Sequence, residues 1–314
     1  MKGDAPTDGE ELSEYRPPLL SIAYRMLGSV ADAEDIVQEA SLRFHKARSE
    51  GTVIKSPKAW LAAVTTRLSI DYLRSARVRR ESYVGMWLPE PLVAGKEPRV
   101  MEQIEMGESL SMAFLLILES LSPVERAVFL LREVFDYSYK EIAEVVEKSE
   151  ENCRQMFTRA RQHIDAGMPR FEVQPEKREE LVSHFLAACQ TGDLGALSDI
   201  LAADVAFYGD GGGKVAAVMH PIHGRDRVGR LVYGLFYQKG RAYGIRLGPA
   251  TVNGSDGVLV LDSRDKLISV IQLDVGPGGI EAIRIVVNPD KLAHLGPISE
   301  LTAGNVRSGK VNQD

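Results

Sequence analysis

Apolar residues recur at helical spacing through the first 75 or so positions, and again up to about position 170. "PLLSIAYRMLG" ends on Gly28 and reads as a helix. "ADAEDIVQEASLRFHKA" sets Ile36, Val37, Ala40 and Phe44 on one face, with acids in its first turn where the helix dipole favours them. In "SPKAWLAAVTTRLSIDYLRSARVRR", Ser56 is placed to cap and Pro57 fits the first helical position. Leu61, Val64, Leu68 and Tyr72 form the expected buried stripe. The pattern then breaks at "WLPEPLVAGKEP", which is too rich in proline for regular structure and reads as a linker or docking strap. Helices resume near Met101. "LSPVERAVFLLREVF" and "YSYKEIAEVVEKS" each carry a capping box, Ser122 with Glu125 and Ser138 with Glu141. A turn around Glu147 and Lys148 leads into "SEENCRQMFTRARQHI", which starts at Ser149, and the two short helices make a helix-turn-helix candidate.

After Pro175 the period changes. Helical patterns at about 176–190 and 194–202 precede strand-like runs: "DVAFYGD", "KVAAVM", "YGIRLGPATV", "GVLVLDS", "LISVIQLDV" and "IEAIRIVVN". One helix, "GRDRVGRLVYGLFYQ", interrupts them. The glycines between runs mark hairpins. The expectation is a multidomain chain, all-α in its first half, followed by an α+β domain with a curved, mostly antiparallel sheet. The expected boundaries are 1–82 and 104–170 for the helical domains, 83–103 for the linker, 175–295 for the α+β domain and 296–314 for a flexible tail.

Composition narrows the function classes. A chain of 314 residues that is 44% apolar can bury real cores, and its net charge of −6 leaves nucleic-acid binding to local patches. The polar, acidic N-terminus is no signal peptide, and "MAFLLIL" is too short to span a membrane. Cys153 and Cys189 lack CxxC spacing and fit a reduced, cytoplasmic chain. His220 and His223 form an HxxH without a third ligand, so no metal and no cofactor is expected.

Two patches carry nucleic-acid chemistry. On the last helix of the helix-turn-helix candidate, Cys153, Phe157, Ala160 and Ile164 share one face. The opposite face offers Arg154, Thr158 and Arg161, flanked by Asn152 and Gln155. Arginine reads guanine in the major groove and Asn or Gln reads adenine. The third helix presents Arg67, Arg74 and Arg77 away from Leu61 and Leu68, which suits phosphate contacts. Either face serves equally as the solvated side of a bundle helix. "FYGDGGGKVAAV" fails as a phosphate-binding loop, because Tyr208 stands where a glycine is needed and Val215 follows Lys214. It reads as a hairpin turn needing positive φ angles.

"AEDIVQEASLRF", "PKAWLAAVTTRLSIDYLRS" and "LSPVERAVFLLREVFDYSYKEIAEVVEKSEENCRQMFTRAR" resemble regions 2 and 4 of bacterial extracytoplasmic-function (ECF) σ factors, in order and spacing. "WLPEP", "DGGGK" and "NPDKL" resemble the group of these factors that carries a fused C-terminal SnoaL-like, NTF2-like cone domain. The resemblance implies a σ2 domain that binds core RNA polymerase at its β′ clamp through Asp35, Gln38 and Glu39. Trp60, Arg67, Arg74 and Arg77 would then face the −10 element, and the loop "ARSEGTVIKSP" would help to hold a flipped base. It implies a σ4 domain near the β flap that reads −35 through Asn152, Arg154, Gln155, Thr158 and Arg161. Early in that helix Glu151 and Asn152 stand where other members often have small residues.

The resemblance further implies control in cis, without a separate anti-σ factor. The contacts would be Trp87, Leu88, Pro89, Glu90 and Pro91 of the strap, Asp210, Gly211, Gly212, Gly213 and Lys214 of the turn, and Asn288, Pro289 and Asp290. Asp210, Asp262 and Asp274 are the candidate acids if the fold kept the general acid–base chemistry of polyketide cyclases or ketosteroid isomerase. A transcription initiation factor without catalytic residues is the expected outcome. The alternative is a helix-turn-helix regulator fused to a small-molecule-binding or isomerase-like domain.

Overall fold

Three long helices open the chain: α1 (Asp8–Leu27), α2 (Val30–Ser49) and α3 (Pro57–Glu81). The computed structural model describes residues 8–81, 83–96, 110–167 and 173–302, without the side chains of 8–12 and 76–81. Ser29 caps α2, and Ser56 Oγ accepts from Ala59 N at the start of α3. The expected stripe of α2 is buried in full. That of α3 is not: Leu61 is buried, Val64, Leu68 and Tyr72 only partly so. The buried face of α3 instead takes in Thr65, Thr66, Ser69, Ile70 and Leu73. The helix crosses two neighbours, α1 and α2, so a wider face is covered than one heptad stripe predicts.

The second helical block is α4 (Met112–Glu119), α5 (Pro123–Glu133), α6 (Tyr139–Val146) and α7 (Glu150–Gly167). Both predicted capping boxes are formed. Helix α6 ends on Glu147 in the left-handed region (φ 56°), and α7 follows at once, which gives the helix-turn-helix. On α7 Cys153, Met156, Ala160 and Ile164 are buried, and Phe157 stacks on Phe129 with ring centroids 5.9 Å apart. Helix α5 packs on α1 and α3, and α6 packs on α3.

The chain divides into two compact units, residues 1–81 with 98–168 and residues 82–97 with 169–314. The strap therefore belongs to the C-terminal unit. That unit holds α8 (Pro175–Thr191), α9 (Leu194–Ile200), α10 (Arg225–Val232), a π-helical turn at Tyr233–Gln238, α11 (Lys239–Tyr243) and the short α12 (Pro289–Leu292). Its strands are β1 (Leu201–Asp210), β2 (Ile222–His223), β3 (Arg246–Val252), β4 (Ser255–Leu261), β5 (Leu267–Gly276) and β6 (Gly279–Val286). They form one sheet in the order β2-β1-β6-β5-β4-β3, antiparallel except for β1 with β6. One face of the sheet buries Phe207, Ile271, Leu273 and Ile283 against Phe185, Val228, Val232 and Phe236 of the helices.

Two expectations are corrected here. "KVAAVM" is no strand: residues 211–221 form an open loop that returns only as the two-residue β2, pairing Ala206 with His223. None of the side chains of Lys214–Met219 is buried. Residues 297–302 of the expected tail are held against the start of β5. Ile298 bridges Leu267 in parallel, Ser299 Oγ donates to Asp262 Oδ2 (2.6 Å), and Ser299 and Thr302 are buried.

Candidate functional site

The predicted turn and the predicted strap meet at one carboxylate. Asp210 ends β1 and is fully buried. Its Oδ1 accepts from the Tyr83 hydroxyl (2.6 Å) and from Gly212 N (3.0 Å). Its Oδ2 accepts from Leu88 N (2.8 Å) and from the Lys291 ammonium (2.7 Å). Strap residues thus supply two of these donors, and the triple-glycine turn and α12 supply the others. Lys291 also donates to the Leu88 carbonyl and lies 4.2 Å from the centroid of the Trp87 ring. A buried ion pair persists only where its remaining hydrogen-bonding groups are satisfied, which these contacts achieve. Burial, and the Asp210 carboxylate beside it, push the Tyr83 phenol well above its ordinary range, so it stays protonated as a donor.

The glycines are explained by close approach. Gly212 (φ +58°) and Gly213 (φ +72°) occupy the left-handed region. A Cβ on Gly212 would lie 2.2 Å from Asn288 Nδ2, and one on Gly213 would lie 3.0 Å from Val84 Cβ. Asn288 donates to the Tyr83 hydroxyl (3.0 Å) and caps α12 by accepting from Asp290 N (3.1 Å), with Pro289 at the first helical position. Lys214 does not pair with Asp210; it reaches Asp290 at 2.5 Å on the surface. The acid is the buried anchor, and the lysine belongs to the rim.

Further along, Pro89, Glu90 and Pro91 are buried. His294 Nε2 donates to the Pro91 carbonyl (2.9 Å), and burial lowers the pKa of this imidazole below its ordinary value. Leu92 exchanges two bonds with Asn253: Leu92 N donates to Asn253 Oδ1 (3.0 Å) and Asn253 N donates to the Leu92 carbonyl (2.7 Å). Val93 then bridges Val252 on β3, so the strap ends as a short added strand on the sheet edge. Asn253 (φ 51°) and Gly254 (φ +72°) form the tight β3–β4 hairpin that presents this amide.

The three candidate acids are each engaged by other groups of the protein. Asp262 accepts from the Ser299 hydroxyl and from the amides of Arg264 and Lys266, contacts that hold its pKa below the ordinary value. Asp274 is paired with Arg284 and accepts from Gln272 Nε2 (2.8 Å). His223 lies on β2 and His220 in the loop before it, both exposed.

In the helical unit Asp35 and Gln38 are exposed on α2, with Glu39 half-exposed and bonded to Arg43 (2.7 Å). Leu42, 58% exposed, continues the same face. Trp60 is half-buried against Phe44, with ring centroids 5.6 Å apart. Arg67 is committed elsewhere: Nε donates to the Val145 carbonyl (2.8 Å) and Nη2 to the Glu144 carbonyl (2.7 Å), capping the C-terminus of α6. Arg126 reciprocates from α5. Only 3% exposed, it donates to the Met26 carbonyl at the end of α1 (2.5 Å) and to the Leu118 carbonyl at the end of α4 (2.8 Å). Arg74 is exposed and pairs with Asp71 (3.2 Å); the Arg77 side chain lies outside the described residues.

On α7 Asn152, Arg154, Gln155, Thr158 and Arg161 are all exposed. The arginines are not bare: Arg154 pairs with Glu150 (3.2 Å) and lies over the Tyr139 ring, and Arg161 reaches Glu133 (3.5 Å). Gln155 Nε2 donates to Glu151 (3.1 Å), and Thr158 Oγ1 donates to the Arg154 carbonyl (2.9 Å).

Family models for Sigma-70 region 2 and Sigma-70 region 4 match residues 12–79 and 111–164. The chain is 37% identical over 311 residues to the ECF RNA polymerase sigma factor SigJ of Mycobacterium tuberculosis, covering 96% of this chain and 98% of that protein. The chain belongs to the ECF RNA polymerase σ factors. This σ factor is also 32% identical over 281 residues to the probable ECF σ factor SigI of the same species, covering 88% of this chain and 92% of that protein. The crystal structure of M. tuberculosis SigJ superposes with a TM-score of 0.72 at 34% identity, covering 92% of this chain and 99% of that one. The two helical blocks are σ2 and σ4, and the C-terminal domain of the σ factor is the six-stranded sheet with its covering helices.

Sequence reasoning singled out Asp210, Asn288 and the strap but passed over Tyr83, Lys291, Asn253 and His294. Lys291 carried a signal, since it stands inside "NPDKL". Tyr83 and Asn253 carried none beyond a position beside the strap and an Asn-Gly turn.

Proposed function

We propose that this σ factor directs core RNA polymerase to promoters, with σ2 engaging the clamp through Asp35, Gln38 and Glu39. The −10 element would then be opened at Trp60, Arg67, Arg74 and Arg77. Helix α7 of σ4 reads −35 through Asn152, Arg154, Gln155, Thr158 and Arg161. Core polymerase supplies much of the affinity, in keeping with a net charge of −6. The isolated protein should therefore hold promoter DNA weakly, and tight sequence-specific binding by the lone chain in a gel shift would count against this.

The C-terminal domain acts in cis as a regulator and not as an enzyme. The observation that carries this reading is the strap clamp. The segment joining σ2 to σ4 is bonded at Tyr83, Leu88 and Leu92 to Asp210 and Asn253 of the third domain. Candidate acids that are each saturated by donors, and a helix-facing sheet surface filled by large apolar side chains, support the non-catalytic part. Tethering makes the contact intramolecular, at an effective concentration of roughly millimolar, so the domain does the work of a separate anti-σ protein.

The regulator would act on two states of the helical unit, one with σ2 packed on σ4 and one with them apart, and Arg67 gives these a physical basis. A guanidinium that caps α6 is not available to a phosphate, so engagement of −10 requires σ2 and σ4 to separate. The test is run-off transcription with core polymerase and the full chain, comparing wild type with Asp210→Ala. Strap release is followed in parallel by hydrogen exchange over residues 83–96. Release of the strap with a several-fold change in transcript is expected. Release with unchanged transcript would sink the regulatory reading and leave the σ activity standing.

A further inference from the structure

The outermost line of α7 is fixed by its buried face. Cys153, Met156, Ala160 and Ile164 are buried. At about 3.6 residues per turn, Glu151, Gln155, Thr158 and Gln162 fall opposite them. All of these side chains are exposed. Arg154 and Asn152 lie to either side of this line. Arg154 is drawn aside by Glu150 (3.2 Å) and by the Tyr139 ring, 4.7 Å from its centroid. The charge of Glu150 is thereby met by a guanidinium. That of Glu151 is met by an amide, through the bond from Gln155 Nε2 (3.1 Å). Along the central line Glu151 comes first and carries charge, while Gln155, Thr158 and Gln162 are neutral.

A helix-turn-helix presents the N-terminal residues of its second helix to base edges in the major groove. A carboxylate there is repelled by phosphates and has no proton to give, so it is useful only where a base offers a donor. Guanine and thymine show it acceptors, and adenine shows an acceptor beside its amino group. Cytosine shows the N4 amino group alone. Among the described residues the second N–H of the Gln155 amide and its carbonyl remain open, a pair that matches adenine N7 and N6.

We propose that Glu151 is a specificity-determining residue of this σ factor, accepting from the N4 amino group of one cytosine in the −35 element while Gln155 holds its carboxylate in place. The proposal rests on the reading that α7 enters the −35 major groove. It moves the centre of recognition from the arginines to the Glu151–Gln155 pair.

The test uses holoenzyme assembled from core polymerase and the full chain, on a promoter library randomised through −35, with sequencing of the transcribed templates. Wild type should enrich cytosine at one position by about tenfold, in line with the worth of a good base contact. Glu151→Ala should flatten that position alone. Glu151→Gln should lower its cytosine preference and raise adenine, since an amide both donates and accepts. Cytosine enrichment that survives Glu151→Ala would overturn the proposal, as would an even loss of discrimination at every position. A wild type that initiates but selects nothing at −35 would overturn the placement of α7 itself, a different failure.

Discussion

Gly212 and Gly51 both have positive φ but differ in what surrounds them. A Cβ at Gly51 meets nothing within 4 Å, whereas at Gly212 it meets Asn288 at 2.2 Å. Gly51→Ala should cost only the left-handed penalty of about 1–2 kcal/mol. Gly212→Ala should cost more, by roughly a further 1–3 kcal/mol, because the Asn288–Tyr83 bond must also give way. Urea denaturation of the two variants checks this, and equal losses would mean that the approach of Asn288 is unimportant. Asp210→Ala is the severest single change here. It leaves the Lys291 ammonium buried without its carboxylate, a loss of about 3–5 kcal/mol.

His294 adds a pH dependence. Its folded-state pKa lies below the ordinary value, so the folded state prefers the neutral ring that donates Nε2–H to Pro91. Its contribution is present above the unfolded pKa of about 6.5 and is lost as the pH falls below it. Protection of residues 83–96 against hydrogen exchange, taken relative to the intrinsic rate at each pH, should fall between about pH 7 and pH 5 in wild type but not in His294→Gln. The anchoring acid and two of its donors, Leu88 and Gly212, were legible in the sequence, but its other two partners were not. Tyr83 and Lys291 reach Asp210 across 127 and 81 residues, a distance that no local pattern encodes.

Among the elements, those whose signals are local were read well. Both capping boxes, the α2 stripe and the helix-turn-helix follow from spacing and cap chemistry, and the structure has them all. The failures are segments whose structure is decided by neighbours. "KVAAVM" has the composition of a strand but no edge to pair with along its length. Residues 297–302 look like a tail and yet find open hydrogen-bonding groups at the start of β5. Arg67 belongs to the same class. It was chosen as an exposed arginine, and its side chain is 46% exposed, but its guanidinium bridges consecutive carbonyls of α6. Discounted for solvent, that cap is worth about 1 kcal/mol. Arg67→Ala should lower stability by about that much, and Arg67→Lys by nearly as much, because an ammonium lacks the planar fork. Denaturation at low and high salt measures both. A loss well above 2 kcal/mol would mean that the contact is not the half-exposed cap described.

For the whole molecule, the decisive arrangement is that the connection between σ2 and σ4 is shared with a third domain. Removing the C-terminal domain should therefore do more than delete a regulator, since it also frees Leu88, Leu92 and Val93 of the strap, which are buried in the intact chain. A truncated protein is expected to aggregate more readily than the full chain. Asn253→Ala, which loosens only one end of the strap, is the cleaner probe. It should raise hydrogen exchange around Leu92 while leaving that around Leu88 nearly unchanged.

The docked strap also makes the chain a ruler. With residues 83–96 bonded to the C-terminal domain, only residues 97–109 of the sequence join the strap to the first described residue of σ4. That length spans at most roughly 45 Å even when fully extended, against about twice as much once the strap lifts off. Each added base pair between two promoter elements costs about 3.4 Å of reach along the duplex. On the regulatory reading proposed above, loss of the Asp210 anchor would lengthen that connection and widen the spacing of −10 and −35 elements that a single chain can touch.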